Sequence, residues 1–281
     1  MEYQLEPYQE TFLKNIGSSC AKHKSVLAQL CTGGGKTVVF ATIAKRFLDT
    51  SKKDVIIFCD SAKILEQTRS TLYKWYGIDS DVINADSCQI QRNTLFGQPR
   101  VFVAMVETFD RRSGRSTFLD QIRDVGLVIV DECHMGNFIK IFEHFLFSLR
   151  IGFTATPVSS NKKKPLRFYY DTIVCGPKTS EIIDLNRLKP SRGVVRDVTY
   201  SLRTNINRQE IEDEEKSLGF KGEDFNDDFV ATKLSGAKQL INVSKAYVDW
   251  SPGKKMLVFN QNISHSELVT KELRANNINA R

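Results

Sequence analysis

The stretch Gln29-Leu30-Cys31-Thr32-Gly33-Gly34-Gly35-Lys36-Thr37 decides how this chain is read. An apolar run, Ser25–Leu30, precedes it and reads as a buried strand, and Val38–Leu48 follows with the spacing of a helix. Strand, glycine loop, Lys-Thr and helix is how a chain grips a nucleoside triphosphate. Gly33, Gly34 and Gly35 let the backbone N–H groups face phosphate without side-chain obstruction. The helix N-terminus adds partial positive charge at the same point. Lys36 is placed to reach the β- and γ-phosphates, and the Thr37 hydroxyl to bind Mg²⁺. The pattern G-x-x-x-x-G-K-[ST] asks for glycine at position 30, where this chain has Leu30.

Four further apolar segments follow at domain-like spacing: Asp54–Cys59, Arg100–Met105, Gly126–Val130 and Leu149–Phe153. Helical patterns separate them at 37–49, 61–76, 115–123 and 137–147. Continuous apolar strands alternating with helices predict an α/β fold, a parallel sheet covered on both faces. In such sheets the functional loops leave the C-terminal ends of the strands. Val128-Ile-Val-Asp-Glu-Cys-His134 puts Asp131 and Glu132 at one such end. Asp131 suits Mg²⁺ held opposite Thr37, and Glu132 suits the positioning of an attacking water on the γ-phosphate. Gly152-Phe-Thr-Ala-Thr-Pro157 ends the next strand, with the Thr154 and Thr156 hydroxyls flanking Ala155. Near the start, Pro7 fits the first turn of a helix whose Tyr8, Phe12 and Ile16 share one face. On that helix Gln9 carries an amide able to donate to and accept from an adenine edge.

The 281 residues contain 41% hydrophobic and 26% charged residues, which is globular and leaves no run long enough to span a membrane. The first residues lack the basic and apolar regions of a secretory signal. Net charge is +7, a mildly basic balance that permits a polyanionic partner. Six scattered cysteines and four histidines form no C-x-x-C pair and no zinc spacing, which fits a reducing, cytoplasmic compartment. Gly193–Val198 reads as a strand, Asn207–Asp228 as a polar insertion, Phe229–Trp250 as a helix and Lys255–Asn260 as a strand after the Ser251–Gly253 turn.

Leu5–Gln9, Thr32–Thr37, Asp131–His134 and Gly152–Pro157, in this order, resemble the motifs of superfamily 2 helicases and translocases. The Asp-Glu-Cys-His wording is closer to the DNA-directed branch, which includes RadD-like and phage UvsW-like helicases. Phe58–Gln67 resembles motif Ia, Val103–Phe109 motif Ib, Tyr170–Pro190 the crossover between lobes and Lys255–His265 motif IV. The resemblance implies a RecA-like first lobe over 1–180 and the crossover plus the start of a second RecA-like lobe over 181–281. It implies ATP and Mg²⁺ as cofactors. Tyr8, Gln9, Thr32, Gly33, Gly34, Gly35, Lys36 and Thr37 would bind nucleotide, and Lys36, Asp131 and Glu132 would be catalytic. His134, Thr154 and Thr156 would couple the ATP site to nucleic acid. Ser61, Gln67 and Thr108 would meet nucleic-acid backbone, with Arg111, Arg112 and Arg115 touching phosphate from a following loop. Glu6 stands where the family often has arginine. No segment matches motif VI, so an incomplete second lobe and doubtful turnover by these residues alone are expected. The implied activity is ATP-driven movement on duplex or branched DNA. An RNA helicase, the motor subunit of a restriction system and a non-enzymatic ATP-gated binding module remain open alternatives.

Overall fold

The computed structural model describes residues 4–85, 100–191 apart from Arg115, Gln121, Arg123, Asn137 and 160–163, and 237–280 apart from Gln261. The readings at Gly193–Val198 and Asn207–Asp228 therefore lie outside the described residues, as do Cys88 and Arg115. The chain divides into two compact units, Met1–Ser191 and Arg192–Arg281.

The first unit is a parallel sheet with seven strands among the described residues: β1 (Ser25–Gln29), β2 (Asp54–Cys59), β3 (Asp81–Ile83), β4 (Val101–Met105), β5 (Val125–Val130), β6 (Leu149–Thr154) and β7 (Thr172–Cys175). Their spatial order is β3-β4-β2-β5-β6-β1-β7, with every pairing parallel. All five strands expected from the apolar runs are present. The short β3 and β7 are additional, and both lie at edges, where three or four residues pair on one side only.

Both faces of the sheet are buried, which is why the central strands carry no polar alternation. On β2, Val55, Ile57 and Cys59 enter one apolar cluster, while Ile56 and Phe58 enter the other. The first cluster is closed by α1 (Pro7–Cys20), α2 (Lys36–Thr50) and α3 (Ala62–Tyr76), through Phe12, Leu13, Ile16, Phe40, Ala44, Leu65 and Leu72. The second is closed by α4 (Val106–Ser113), α5 (Ser116–Leu119) and a 3₁₀ segment, Ile139–His144. Phe58 meets Phe109 edge-on there, with centroids 5.0 Å apart. Full burial of such side chains contributes roughly 1.5–3 kcal/mol each.

Local chemistry sets the helix ends. Pro7 opens α1, where its missing N–H costs no hydrogen bond. Ser61 caps α3 by accepting the Ile64 N–H at 3.3 Å, and Gly77 ends it in the left-handed region at φ 63°.

Three expectations in the first unit need correction. The 137–147 pattern forms the 3₁₀ segment Ile139–His144, in which Phe138, Ile141, Phe142 and Phe145 still reach the core. A 3₁₀ run keeps the i, i+3 spacing that buries them, so apolar periodicity alone did not separate it from an α-helix. The 115–123 pattern shortens to α5. Arg111 and Arg112 lie on the helix α4 rather than in a loop, because Val106 and Phe109 anchor that turn in the core.

In the second unit, α7 (Ala237–Trp250) and α8 (Ile263–Ala275) match the expected helices. The Asn262 side chain caps α8 by accepting the His265 N–H at 2.9 Å. Residues 255–260, expected as a strand, have no regular structure. A strand exists only through a ladder, and among the described residues nothing pairs with this segment. Leu257 and Phe259 are exposed there.

Candidate active site

The strand order decides the site. The glycine loop leaves β1, the acidic motif leaves β5, and the Gly152–Pro157 turn leaves β6, which lies between them. Three motifs far apart in sequence therefore emerge side by side at the C-terminal edge of one sheet.

Gly33 and Gly35 adopt φ of +81° and +86°, the left-handed region that glycine enters without strain. A Cβ on Gly34 would stand 2.8 Å from Leu30 Cγ, and one on Gly35 would collide with the Gln9 amide. Leu30, the departure from the usual pattern, is fully buried under the loop as a packing residue. Gly35 precedes α2, so Lys36 and Thr37 open its first turn. This cradle, with its helix N-terminus, fits a bound phosphate chain. Thr32 and Gly33 are exposed and Lys36 and Thr37 half-buried.

Tyr8 and Gln9 converge on the loop from α1. The Tyr8 hydroxyl donates to the Gly34 carbonyl at 3.1 Å, and Gln9 Nε2 donates to the same oxygen at 3.2 Å. Gln9 Oε1 accepts the Glu6 N–H at 3.0 Å. Both polar atoms of the buried Gln9 amide are thus engaged within the protein.

Across the cleft, Lys36 Nζ lies 3.3 Å from Glu132 Oε1. The other carboxylate oxygen, Oε2, is 3.3 Å from His134 Nδ1, which is 3.0 Å from Thr154 Oγ1. The Thr154 hydroxyl donates to the Thr156 carbonyl at 2.9 Å and accepts the Thr156 N–H at 3.0 Å. His134, Thr154 and Thr156 are thus brought together. The difference from expectation is that exposed Thr156 takes part through its backbone, not its hydroxyl.

Asp131 is buried at the tip of β5, its Oδ1 accepting the Glu132 N–H at 3.0 Å. Burial and then the neighbouring Glu132 charge push its carboxyl up to about 6, against the opposing pull of that N–H and of Lys36. A carboxylate held in so unfavourable a state suits a divalent cation, whose charge restores the ionised form. Cys133 faces the opposite way, into the core, where burial raises its thiol to about 12 and leaves it a packing group.

Arg115 lies outside the described residues, and the other expected nucleic-acid residues are spread over the start of α3, its exposed face and α4. Ser61 caps α3 with its oxygen by accepting the Ile64 N–H, which leaves its hydroxyl proton available. Gln67 is exposed on α3 and Thr108 half-buried on α4. Arg111 pairs with Glu107 at 3.7 Å, and Arg112 donates to the Ala85 carbonyl at 3.4 Å. A cavity of about 700 Å³ opens elsewhere, beneath β1 and β7, lined by Leu27, Pro157, Leu166, Tyr170 and Ile173. Its apolar wall offers no phosphate cradle, so the glycine loop and not this cavity is the candidate site.

A parallel α/β sheet whose adjacent strand ends carry a glycine loop, an Asp-Glu pair and a Thr-Ala-Thr turn defines the first lobe of a helicase-type P-loop protein. The family described as type III restriction enzyme, res subunit, matches residues 2–159. The chain belongs to that family, within the superfamily 2 helicases.

Among curated relatives, the general transcription and DNA repair factor IIH helicase/translocase subunit XPB of Schizosaccharomyces pombe is 26% identical over 168 residues, covering 57% of this chain and 20% of that protein. The ATP-dependent DNA helicase MPH1 of Saccharomyces cerevisiae is 28% identical over 173 residues, covering 56% and 16%. The chain thus spans a fifth or less of the length of these relatives. The Hef helicase domain of Pyrococcus furiosus has a TM-score of 0.54 at 16% identity, covering 97% of this chain and 54% of that one. A nuclease-deletion mutant of the type ISP restriction-modification enzyme LlaGI, solved with a DNA substrate mimic, has a TM-score of 0.55 at 16% identity, covering 99% and 30%. These two likenesses establish the shared fold. No helix among the described residues is long and apolar enough to cross a membrane.

Proposed function

We propose that this chain carries the ATP-binding half of an ATP-dependent DNA helicase or translocase, with residues 1–180 as the first lobe and 181–281 as the crossover and opening of a second. The observation that carries the reading is the contact of Lys36 with Glu132 at 3.3 Å, continued through His134 to Thr154. It joins the lysine that opens α2, after the glycine loop, to the acidic tip of β5 and the turn after β6. The names of the curated relatives, DNA helicases and translocases, support DNA as the polymer acted on.

In this reading the Gly33–Gly35 N–H groups and Lys36 hold the ATP phosphates. Thr37 and Asp131 would hold Mg²⁺, which would supply neutralisation of phosphate charge. Lys36 leaves Glu132 for phosphate, which frees that carboxylate to orient a water in line with the γ-phosphorus. The new oxygen–phosphorus bond forms as the bond to the ADP oxygen breaks, and the water proton passes to Glu132. The change at Glu132 reaches His134 and the Thr154 turn, which lies towards the nucleic-acid side in the motif assignment.

The test is hydrolysis of ATP with Mg²⁺ by the intact protein that carries these residues, measured alone and with duplex DNA, forked DNA or single-stranded RNA. DNA should stimulate turnover, and Lys36→Ala or Glu132→Gln should reduce it by about a hundredfold or more. Stimulation by RNA alone would make the motor RNA-directed. Unchanged turnover in either variant would refute the site assignment.

A further inference from the structure

The segment after α6 (Thr179–Asp184) returns to the glycine loop, beyond the residues matched by the family. Ile182 is fully buried and anchors that short helix. Asn186 then turns the chain in the left-handed region at φ 57°, which asparagine tolerates better than most residues. The turn is tied down by the Asn186 N–H to the Ile183 carbonyl at 2.8 Å and the Arg187 N–H to the Ile182 carbonyl at 3.1 Å. Two side chains are delivered by this reversal. Leu188 lies over the loop, so that a Cβ on Gly33 would stand 2.6 Å from Leu188 Cδ2. Arg187 Nη2 pairs with Glu6 Oε2 at 2.8 Å.

Glu6 is the residue before α1, three positions ahead of Gln9. The ion pair therefore ties the 185–191 segment to the helix that carries Tyr8 and Gln9. Those two residues bound the loop on one side, at the Gly34 carbonyl, and Leu188 bounds it at the neighbouring Gly33. A nucleoside attached to phosphates in the loop has to leave between these walls. One wall is the half-buried Tyr8 phenol beside a Gln9 amide already engaged within the protein, the other is an aliphatic side chain, and the apolar face of a purine suits the second.

We propose that Leu188 is a nucleotide-binding residue that packs against the nucleoside of a purine nucleotide. Arg187 is its positioning residue, acting through the ion pair with Glu6. The assignment rests on the nucleotide site proposed above and extends it to the crossover segment, beyond the residues matched by the family. It also gives Glu6 a role at a position where arginine is the common residue: the carboxylate here serves as an anchor for a basic group supplied from the far end of the unit.

The test measures the affinity of the full chain for ADP and for inorganic tripolyphosphate, both with Mg²⁺, and takes their ratio. Leu188→Ala should lower that ratio about three- to tenfold, and Leu188→Met should restore most of it. Arg187→Glu should lower it as well, and the charge swap Glu6→Lys with Arg187→Glu should recover it, which a loss of folding would not do. An unchanged ratio in Leu188→Ala, or a swap that recovers nothing, overturns this assignment while leaving the ATP site standing. Failure of the unaltered chain to bind either ligand overturns both.

Discussion

Replacing Asp131 by asparagine should make the first unit more stable at neutral pH while removing a residue that the proposed chemistry needs. Asp131 is 7% exposed and carries a carboxyl raised from 3.8 to about 6, by burial first and by Glu132 second. Because the folded value lies above the unfolded one, the folded state holds the proton more tightly between about pH 4 and pH 6. Stability linked to this group is therefore greatest below pH 4 and falls as pH rises through 6. At pH 7 the whole cost of the buried charge is present, about 3 kcal/mol at most. Asparagine carries no charge, and its Oδ1 can still accept the Glu132 N–H. Its new amide donors are half-satisfied, which returns about 1 kcal/mol of the gain. The net expectation is a stabilisation of up to about 2 kcal/mol at pH 7, turning into a loss of about 1 kcal/mol by pH 4. Urea unfolding of Asp131→Asn against the parent measures it, in a Trp250→Phe background that leaves Trp75 of the first unit as the fluorescent reporter. A variant no more stable than the parent at pH 7, or a difference that does not change with pH, would refute the reasoning.

Ser61→Ala should cost the first unit about 1 kcal/mol in urea unfolding, because its hydroxyl caps α3. The same change should lower DNA affinity if the free Ser61 proton also meets phosphate, and an unchanged affinity would remove Ser61 from the phosphate contacts. Gly152→Ala introduces a Cβ that collides with the buried Tyr170 hydroxyl and stands 2.9 Å from Cys133 Sγ. It should destabilise by about 1–3 kcal/mol, and Tyr170→Phe should recover part of the loss, with thermal unfolding as the measure. Arg111→Ala and Arg112→Ala should each reduce the salt slope of DNA binding by about one, without a measurable change in stability. A slope unchanged in both variants removes α4 from the nucleic-acid path.

The parallel sheet was legible because its central strands are apolar at consecutive positions. Val55–Cys59 and Leu127–Val130 contribute alternately to the two clusters, and only a sheet covered on both faces uses that pattern. The glycine loop and the Asp131-Glu132 pair were legible because their chemistry is local. The insertion of β6 between β1 and β5 was not, since strand order depends on long-range packing that no window of residues encodes. Nor was the cap that Ser61 makes, because capping and phosphate binding draw on the same hydroxyl at the same helix end. Val106–Ser113 is highly amphipathic but only eight residues long, and its arginines drew the reading towards a loop. Leu188 gave no signal at all: an aliphatic residue after a short helix becomes informative only when the fold lays it over Gly33.

Glu132 links these observations. It is a non-glycine residue at φ 47°, a backbone state that costs on the order of 1–3 kcal/mol and persists only when its surroundings hold it. Those surroundings are Asp131 Oδ1 on its N–H, Lys36 on one carboxylate oxygen and His134 on the other. Two of the three partners are groups that nucleotide binding has to disturb. Lys36 is required by phosphate, and Asp131 is the carboxylate most relieved by a cation. Nucleotide binding would therefore remove one restraint on Glu132 and alter a second, while His134 remains tied to Thr154 on the neighbouring strand. A side chain released on the nucleotide side and retained on the β6 side can carry the occupancy of one to the other. The geometry asks for no movement of the sheet itself, only exchange of partners at a strained strand end. Thr154→Val tests this step: nucleotide affinity should stay near that of the parent, while the stimulation of ATP hydrolysis by DNA should fall about tenfold or more. Equal losses in binding and stimulation would place Thr154 in the nucleotide pocket itself and end the argument for a relay.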